Sequence, residues 1–414
     1  MIIIITMNAR LRPRFLTDSV HRLTRTMPVV VVTGARQTGK STLVRDLLGG
    51  KRDYYSLDDL DVLAQAQRFP DDLVERSGTL VLEEVQRVPD LLLAVKRSVD
   101  RNRVPGRFVL TGSANLLLMQ SVSESLAGRA SYLTLWPMTR RERMGLGAAG
   151  AWSTLFQEAR GSWKDAFESA EPQPADWREV VRQGGFPVPA LEYADPEDRA
   201  IWFEGYVRTY LERDLRDLSA IENLVDFRRL MGASCHRLGQ LVNQTELGRD
   251  VELPQPTVRR WLNLLETSYQ LVRLPAFSVN RTKRLIKTPK AYWCDTGLAL
   301  RLSGPREPHG ADLENLILSD LLAWRESQVL DRPEVFYWRT ATGEEVDFVV
   351  EWRDRLLAVE VKATNRPRAS DARHLKTFRE EYGERVVGSL LLHDGDATEW
   401  LAPGILAAPW WRVI

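Results

Sequence analysis

The chain has 414 residues, 44% of them apolar and 27% charged, a size that calls for two to four domains and a composition that excludes a disordered or membrane-spanning polypeptide. Fifty-seven basic residues face 56 acidic ones, so net charge declares neither a nucleic-acid nor an anionic-membrane partner. The basic residues divide into 48 Arg and nine Lys. Codon preference accounts for that bias, and it makes each lysine conspicuous, because this chain writes Arg where nothing demands Lys. Two cysteines, Cys235 and Cys294, form no disulfide framework or zinc motif and indicate a reducing compartment. The Ile2–Ile5 run is too short for a signal-peptide core. No apolar run approaches the ~20 residues of a membrane helix. A cytoplasmic protein with no membrane partner is expected.

Residues 29–34 read VVVVTG, a β-branched run suited to a strand buried on both faces. Gly34, Ala35, Arg36, Gln37, Thr38, Gly39, Lys40, Ser41 and Thr42 follow, and then a helical TLVRDLL. This is GxxxxGK[ST] in its strand–loop–helix setting. Glycines let the backbone wrap a phosphate, and the loop amides and helix N-terminus bind the anion. Lys40 would reach the β- and γ-phosphates of ATP, and Ser41 would ligate Mg²⁺.

A second strand, 79–82, runs into Glu83 and Glu84. A carboxylate there holds the Mg²⁺ shell and a second polarises the attacking water, which assigns Glu83 to the metal and Glu84 to catalysis. A third strand, 108–111, ends in Gly-Ser113-Ala-Asn115. Ser113 or Asn115 either senses the γ-phosphate or caps a helix. Gly128-Arg129 precedes the β-like SYLTLW. Arg129 is either a finger on a neighbour's nucleotide, which requires a homo-oligomer, or a surface residue.

Residues 143–177 are rich in Gly, Ala, Ser and Pro and read as a linker or variable insertion. Residues 197–222 have a charged helical pattern and read as a small lid. From 228 to 274 the pattern is helix, short helix, turn, helix, strand, with Thr245 a candidate cap. Val258, Trp261, Leu262 and Leu265 form one apolar stripe, leaving Arg259, Arg260 and Asn263 opposite. This is the layout of a winged helix-turn-helix, a module that contacts DNA or proteins. Arg273, Arg281, Lys283, Arg284, Lys287 and Lys290 follow with no acid between Arg273 and Cys294. They predict a basic wing for sequence-blind phosphate contacts.

Helix 312–327 carries Glu314 on an apolar face, where a carboxylate needs a partner. Two strand-like runs, EVDFVV (345–350) and LAVEVK (357–362), flank a turn at Arg353-Asp354. A hairpin centred there sets Asp347 opposite Glu360, with Lys362 on the face of Glu360. Paired carboxylates repel unless a cation sits between them, so Glu314, Asp347 and Glu360 are candidate ligands for a second Mg²⁺ or Mn²⁺. Lys362 is placed to orient the attacking water.

GARQTGKST, LVLEEVQRVPDLLLAVKRSVD, RFVLTGSAN and SLAGRA occur in this order, followed by GGFP (184–187), YLERDL (210–215) and KTPKAYWCDTGLA (287–299). Together they resemble the bacterial and archaeal AAA+-like ATPases that carry a C-terminal domain of initially unknown function. The D…ExK set at Asp347, Glu360 and Lys362 resembles the PD-(D/E)xK nucleases. Glu83 departs from the family's usual Asp. The resemblance implies an α/β chain of four parts: an AAA+-like P-loop core (1–136), a linker and helical lid (137–222), a winged-helix segment with a basic wing (223–300) and an α/β restriction-endonuclease-like domain (301–414). The phosphate site, the basic wing and the paired carboxylates together predict an ATPase acting on nucleic acid, DNA foremost, with metal-dependent phosphodiester hydrolysis open. The alternative is a nucleotide-dependent switch that binds a protein partner, its nuclease-like domain inactive.

Overall fold

The computed structural model describes residues 11–50, 52–76, 78–113, 126–169, 174–209, 221, 223–280, 284 and 287–414. The valine run becomes β1 (Val29–Thr33), buried at every position. It joins β2 (Asp53–Ser56), β3 (Leu80–Glu83), β4 (Phe108–Gly112) and β5 (Ala130–Thr134) in a parallel sheet of order β2-β3-β4-β1-β5. The inner strands β3, β4 and β1 are wholly buried, while the edges β2 and β5 are partly exposed. Helices Leu16–Thr24 and Leu91–Arg101 cover the sheet with Leu16, Val20, Leu91 and Val95. β1 lies between β4 and β5, so the loop after it emerges in the crevice at the carboxyl ends of the strands, where parallel α/β sheets bind ligands.

Helices Leu224–Cys235, Gln244–Asp250 and Gln255–Thr267 follow, then the antiparallel pair β6 (Leu271–Leu274) and β7 (Lys290–Trp293). In the third helix Val258, Trp261, Leu262 and Leu265 are buried, and Arg259, Arg260 and Asn263 are exposed. Asn243, rather than Thr245, caps the short helix, accepting from the Thr245 and Glu246 amides at 3.2 Å each.

The last sheet is mixed, of order β12-β13-β11-β10-β9-β8. Its strands are β8 (Glu334–Arg339), β9 (Glu345–Trp352), β10 (Arg355–Lys362), β11 (Val386–His393), β12 (Glu399–Ala402) and β13 (Ile405–Pro409). Arg353 and Asp354 both adopt positive φ, 51° and 63°, the geometry of a tight two-residue hairpin turn. The β9–β10 register runs from Trp352↔Arg355 to Phe348↔Val359. One step further sets Asp347 beside Glu360.

The 143–177 stretch is not a linker. Trp152, Leu155, Phe156, Trp163 and Phe167 are buried in one core with helix Gly310–Ser327 and the last sheet. Trp152 Nε1 donates to Asp320 Oδ1 at 2.7 Å. The glycines and alanines serve close approach: a Cβ on Gly150 would collide with the Val413 carbonyl. Small residues imitated linker composition, while the interspersed aromatics carry the burial. Beyond it, helix Pro196–Tyr206 is present, and the YLERDL segment lies outside the described residues.

The units are tied together by buried and half-buried polar contacts. Ser19 Oγ donates to Ser327 O at 2.8 Å, the Thr134 amide to Glu326 Oε2 at 3.1 Å, and Arg140 Nη1 to Trp411 O at 3.1 Å. Among the described residues no helix is long and apolar enough to cross a membrane.

Candidate functional site

The loop after β1 is shaped by alternating backbone hands: Gly34 has φ +142°, Gln37 +60° and Gly39 +91°. Gly34 backs directly onto the Leu135 carbonyl, where a Cβ would collide, so this position takes only glycine. Thr38 Oγ1 closes the loop by donating to Ala35 O at 2.9 Å. Lys40 is buried, and its Nζ donates to Gly34 O at 3.1 Å and Ala35 O at 2.8 Å. Burial lowers its pKa to about 8, against the opposing pull of Glu84 and Glu83. The ammonium is thus held by carbonyls inside the turn that would wrap a phosphate.

Ser41 Oγ and the Tyr54 hydroxyl both donate to the Glu83 carboxylate. Glu83 therefore reaches Ser41 with its extra methylene, and the two form the oxygen pair that a Mg²⁺ shell would use. Glu84 adopts φ 56°. Its carboxylate accepts from Gln86 Nε2 and from Ser113 Oγ, the latter at 3.2 Å. The structure thus brings Ser113 and Glu84 together. Asn115 lies outside the described residues. Arg129 is at the other end of the sheet: its carbonyl accepts from Val29 N at 3.2 Å, and its Nε donates to Asp100 Oδ1 at 2.6 Å. The length of β1, roughly 13 Å at ~3.3 Å per residue, separates it from this chain's own loop.

Four participants escaped the sequence reading. Tyr54 and Gln86 were two. Arg14 was another: it is buried, donates from Nη1 to Thr38 O at 2.7 Å and from Nη2 to Trp136 O at 2.6 Å, and pairs through Nε with Glu142 at 3.1 Å. The fourth, Asp295, accepts from the Leu298 amide at 2.8 Å and the Gly185 amide at 2.5 Å. Gly185 is the second residue of the GGFP turn, whose Pro187 Cγ lies 3.6 Å from the point a Gly39 Cβ would occupy. The only sequence signals were the GGFP and CDTG strings themselves, which carry no chemistry until they meet.

The second cluster lies where β9 and β10 run alongside helix Gly310–Ser327. Asp347 Oδ2 accepts from the Val361 amide at 2.9 Å, and Lys362 Nζ donates to Glu360 Oε1 at 2.6 Å. Glu314 Oε2 accepts from the Tyr292 hydroxyl at 3.2 Å. Lys290 Nζ lies 3.8 Å from Asp347 Oδ1 and pairs with Glu345. Lys290 and Tyr292 are alternate residues of β7 and so share a face. Burial, followed by Asp347, pushes Glu360 up to about 8, with Lys362 opposing. Burial, followed by Asp347, also carries Glu314 well above the ordinary carboxylate range. Burial raises Asp347, against Lys290 and the Val361 amide. Burial opposes the charge on Lys290, but Asp347, Glu314 and Glu345 outweigh it and raise its pKa.

Two expectations change here. Among the described residues no three His, Cys, Asp or Glu side chains are arranged to hold a metal ion; ammonium groups meet Asp347 and Glu360 instead. Glu360 Oε2 nevertheless remains buried without a hydrogen-bond partner, which fits a cation at that edge of the pair. Among the described residues of the basic wing, three of the four cations are also compensated. Lys290 is buried in the cluster, and Arg273 pairs with Glu266. Arg284 lies between the Phe277 and Phe336 rings and donates to Glu351 at 2.6 Å. Lys287 is exposed, while Arg281 and Lys283 lie outside the described residues. An acid-free stretch of sequence met its acids from the preceding helix and from later strands.

Residues 26–144 match the AAA domain, and residues 174–309 and 309–413 match two domains of unknown function, DUF8612 and DUF4143. With a P-loop on a parallel sheet, residues 26–144 form an AAA-class P-loop ATPase core, with ATP and Mg²⁺ as the expected ligands of that class. The chain belongs to the family that includes uncharacterized proteins of Mycobacterium tuberculosis H37Rv and Mycobacterium bovis. Each is 33% identical over 367 residues, covering 85% of this chain and 75% of the relative. Among solved structures, the Walker-type ATPase of Pyrococcus abyssi covers 70% of this chain and 98% of its own, at 16% identity and TM-score 0.43. A point variant of RuvB from Thermotoga maritima covers 63% of this chain and 89% of its own, at 16% identity and TM-score 0.29.

Proposed function

We propose that this ATPase acts on nucleic acid, DNA in the first instance, and that its nucleotide state is transmitted to the carboxylate cluster of a restriction-endonuclease-like C-terminal unit. One observation carries the reading. Strand β7 holds Lys290 against Asp347 at one end, and Asp295, two residues beyond its other end, holds the GGFP turn that packs at the phosphate loop. A shift of the loop on ATP binding therefore has a short, packed path to the cluster. In this reading Lys40 and the loop amides bind phosphate, Ser41 and Glu83 hold Mg²⁺, and Glu84, positioned by Ser113, polarises water. Arg129 serves a neighbouring copy. If the shift of the loop withdraws the ammonium groups from Asp347 and Glu360, these two and Glu314 would be free to hold a second Mg²⁺ or Mn²⁺, which would supply charge to polarise a scissile phosphate. Lys362 orients the attacking water. The exposed Arg259, Arg260 and Asn263 place the helix Gln255–Thr267 against DNA as a winged helix would.

The experiment is Mg²⁺-dependent ATP hydrolysis with and without duplex DNA, alongside DNA binding in low salt. Stimulation by DNA is expected. Indifference to DNA together with no binding in low salt removes the reading. A second reading, a nucleotide-dependent switch on a protein partner, is favoured by the compensated cations among the wing's described residues. A stable protein partner released on ATP binding, with no DNA effect, would select it.

A further inference from the structure

Three places invite a further role: the buried Asp320 beside Trp152, the Arg160–Gly404 surface cleft, and the cleft that opens from Glu360 and Lys362 at the end of β10. The first accepts from Trp152 at Oδ1, and its unpartnered Oδ2 is sealed in the core where no ligand enters. The second sets a single cation, Arg160, among Trp400, Ala402 and Pro403, too little polar chemistry to specify a ligand. The third has chemistry.

Helix Arg373–Tyr382 begins next to the carboxyl end of β10, and between them opens a cleft of about 430 Å³. Glu360 and Lys362 form one wall, and Ser370, Asp371, Arg373, His374 and Lys376 the other. From Lys362 to Lys376 the chain carries five Lys or Arg and one His against a single acid, Asp371. That acid is engaged by the Arg368 amide, 2.7 Å from its Oδ2. Arg366, Arg373 and Lys376 are exposed. Among the described residues none of the three makes an ion pair with a carboxylate, whereas the neighbouring Arg385 and Arg284 are both paired with Glu351. On the cleft wall Arg373 and Lys376 outnumber the one carboxylate, Asp371, and an anion entering the cleft relieves the repulsion between the two cations. Arg373 and Lys376 are three apart on one helix and so present their cations side by side. The spacing suits successive phosphates rather than one compact anion.

We propose that this cleft binds the phosphodiester backbone of a nucleic acid and lays it across Glu360 and Lys362. It relocates the polyanion surface from the wing to the segment 362–376. The inference rests on the reading of this protein as one that acts on nucleic acid, and it adds where the strand lies. Contacts of this type are sequence-blind and salt-dependent.

The test is fluorescence anisotropy on the full chain. Labelled single-stranded DNA, duplex DNA and RNA of one sequence are titrated in EDTA across ~50 to ~200 mM salt. The double variant Arg373→Glu/Lys376→Glu is expected to weaken binding at least tenfold at low salt. The slope of log affinity against log salt should fall by about two, one for each lost phosphate contact. ATP hydrolysis without nucleic acid should be unchanged. Arg373→Gln/Lys376→Gln should give a smaller loss in the same direction, and it guards against misfolding of the charge-reversed chain. The DNA and RNA arms distinguish the two sources of the backbone. If wild type binds and both double variants bind equally well, the cleft is overturned and the broader reading survives. The same holds if Arg259→Glu/Arg260→Glu alone abolishes binding. If wild type binds no nucleic acid in low salt, the broader reading falls and takes the cleft with it.

Discussion

Replacing Lys290 by Met isolates what the buried ammonium does. Lys290 is 2% exposed and faces Glu345 and Asp347, with Glu314 close enough to raise its pKa. Methionine keeps the stem and removes the charge. Breaking a buried ion pair by deleting one partner costs roughly 3–5 kcal/mol. Glu345 is 27% exposed, so water relieves part of that, and about 3 kcal/mol near pH 8 is the expected loss. The loss depends on pH. Glu360, raised to about 8, and Glu314 and Asp347, also raised, favour the folded state when protonated. Their contribution is present at low pH and is lost as pH rises through the raised values. Without Lys290 those values rise further, so the deficit should grow from pH 5 to pH 8. At roughly 2–4 °C per kcal/mol for a unit of 150–250 residues, the variant should melt about 6–12 °C below wild type at pH 8. The gap should be less than half of that at pH 5. Thermal unfolding followed by circular dichroism at both pH values measures it. A melting point equal to wild type at pH 8, or a deficit that does not change with pH, would refute the claim that Lys290 balances the cluster.

Three further outcomes follow from the geometry. Lys40 has a pKa of about 8, and phosphate favours its charged form. Metal-free nucleotide affinity should therefore hold below pH 7 and fall by roughly tenfold towards pH 9, with proton uptake on binding near pH 8 in calorimetry across buffers of different ionisation heat; absence of uptake would contradict the burial of this ammonium. Ser113→Ala removes one of the two donors to Glu84; kcat for ATP should drop about tenfold, about 1.4 kcal/mol of barrier, with nucleotide affinity unchanged, and a loss confined to affinity would reassign Ser113. Gly150→Ala drives a methyl group into the Val413 carbonyl, so it should cost at least about 1 kcal/mol in a chemical melt, whereas a true linker glycine would tolerate the change.

Local sequence by itself determined the elements whose chemistry is local. The valine run, the glycines and Lys40 specify a strand, a turn and a helix start within 14 residues of one another, and they fold into a phosphate loop. The β9–β10 register was also legible, because alternation and a two-residue turn leave one pairing that buries the apolar face. Tertiary structure decided everything that depends on charge meeting charge across the chain. The stretch from Arg273 to Cys294 looked basic because its acids, Glu345, Asp347 and Glu351, lie on later strands. Arg14 reaches the loop with Glu142 as its partner, 128 residues away in sequence. The tryptophans of the apparent linker found their core only against a helix that begins at Gly310. Arg129 was separated from its own nucleotide loop by the length of a strand. Periodicity is a property of neighbours along the chain, and sequence carries it. Compensation of buried charge and filling of a core are properties of neighbours in space, and they appear only when the chain is folded.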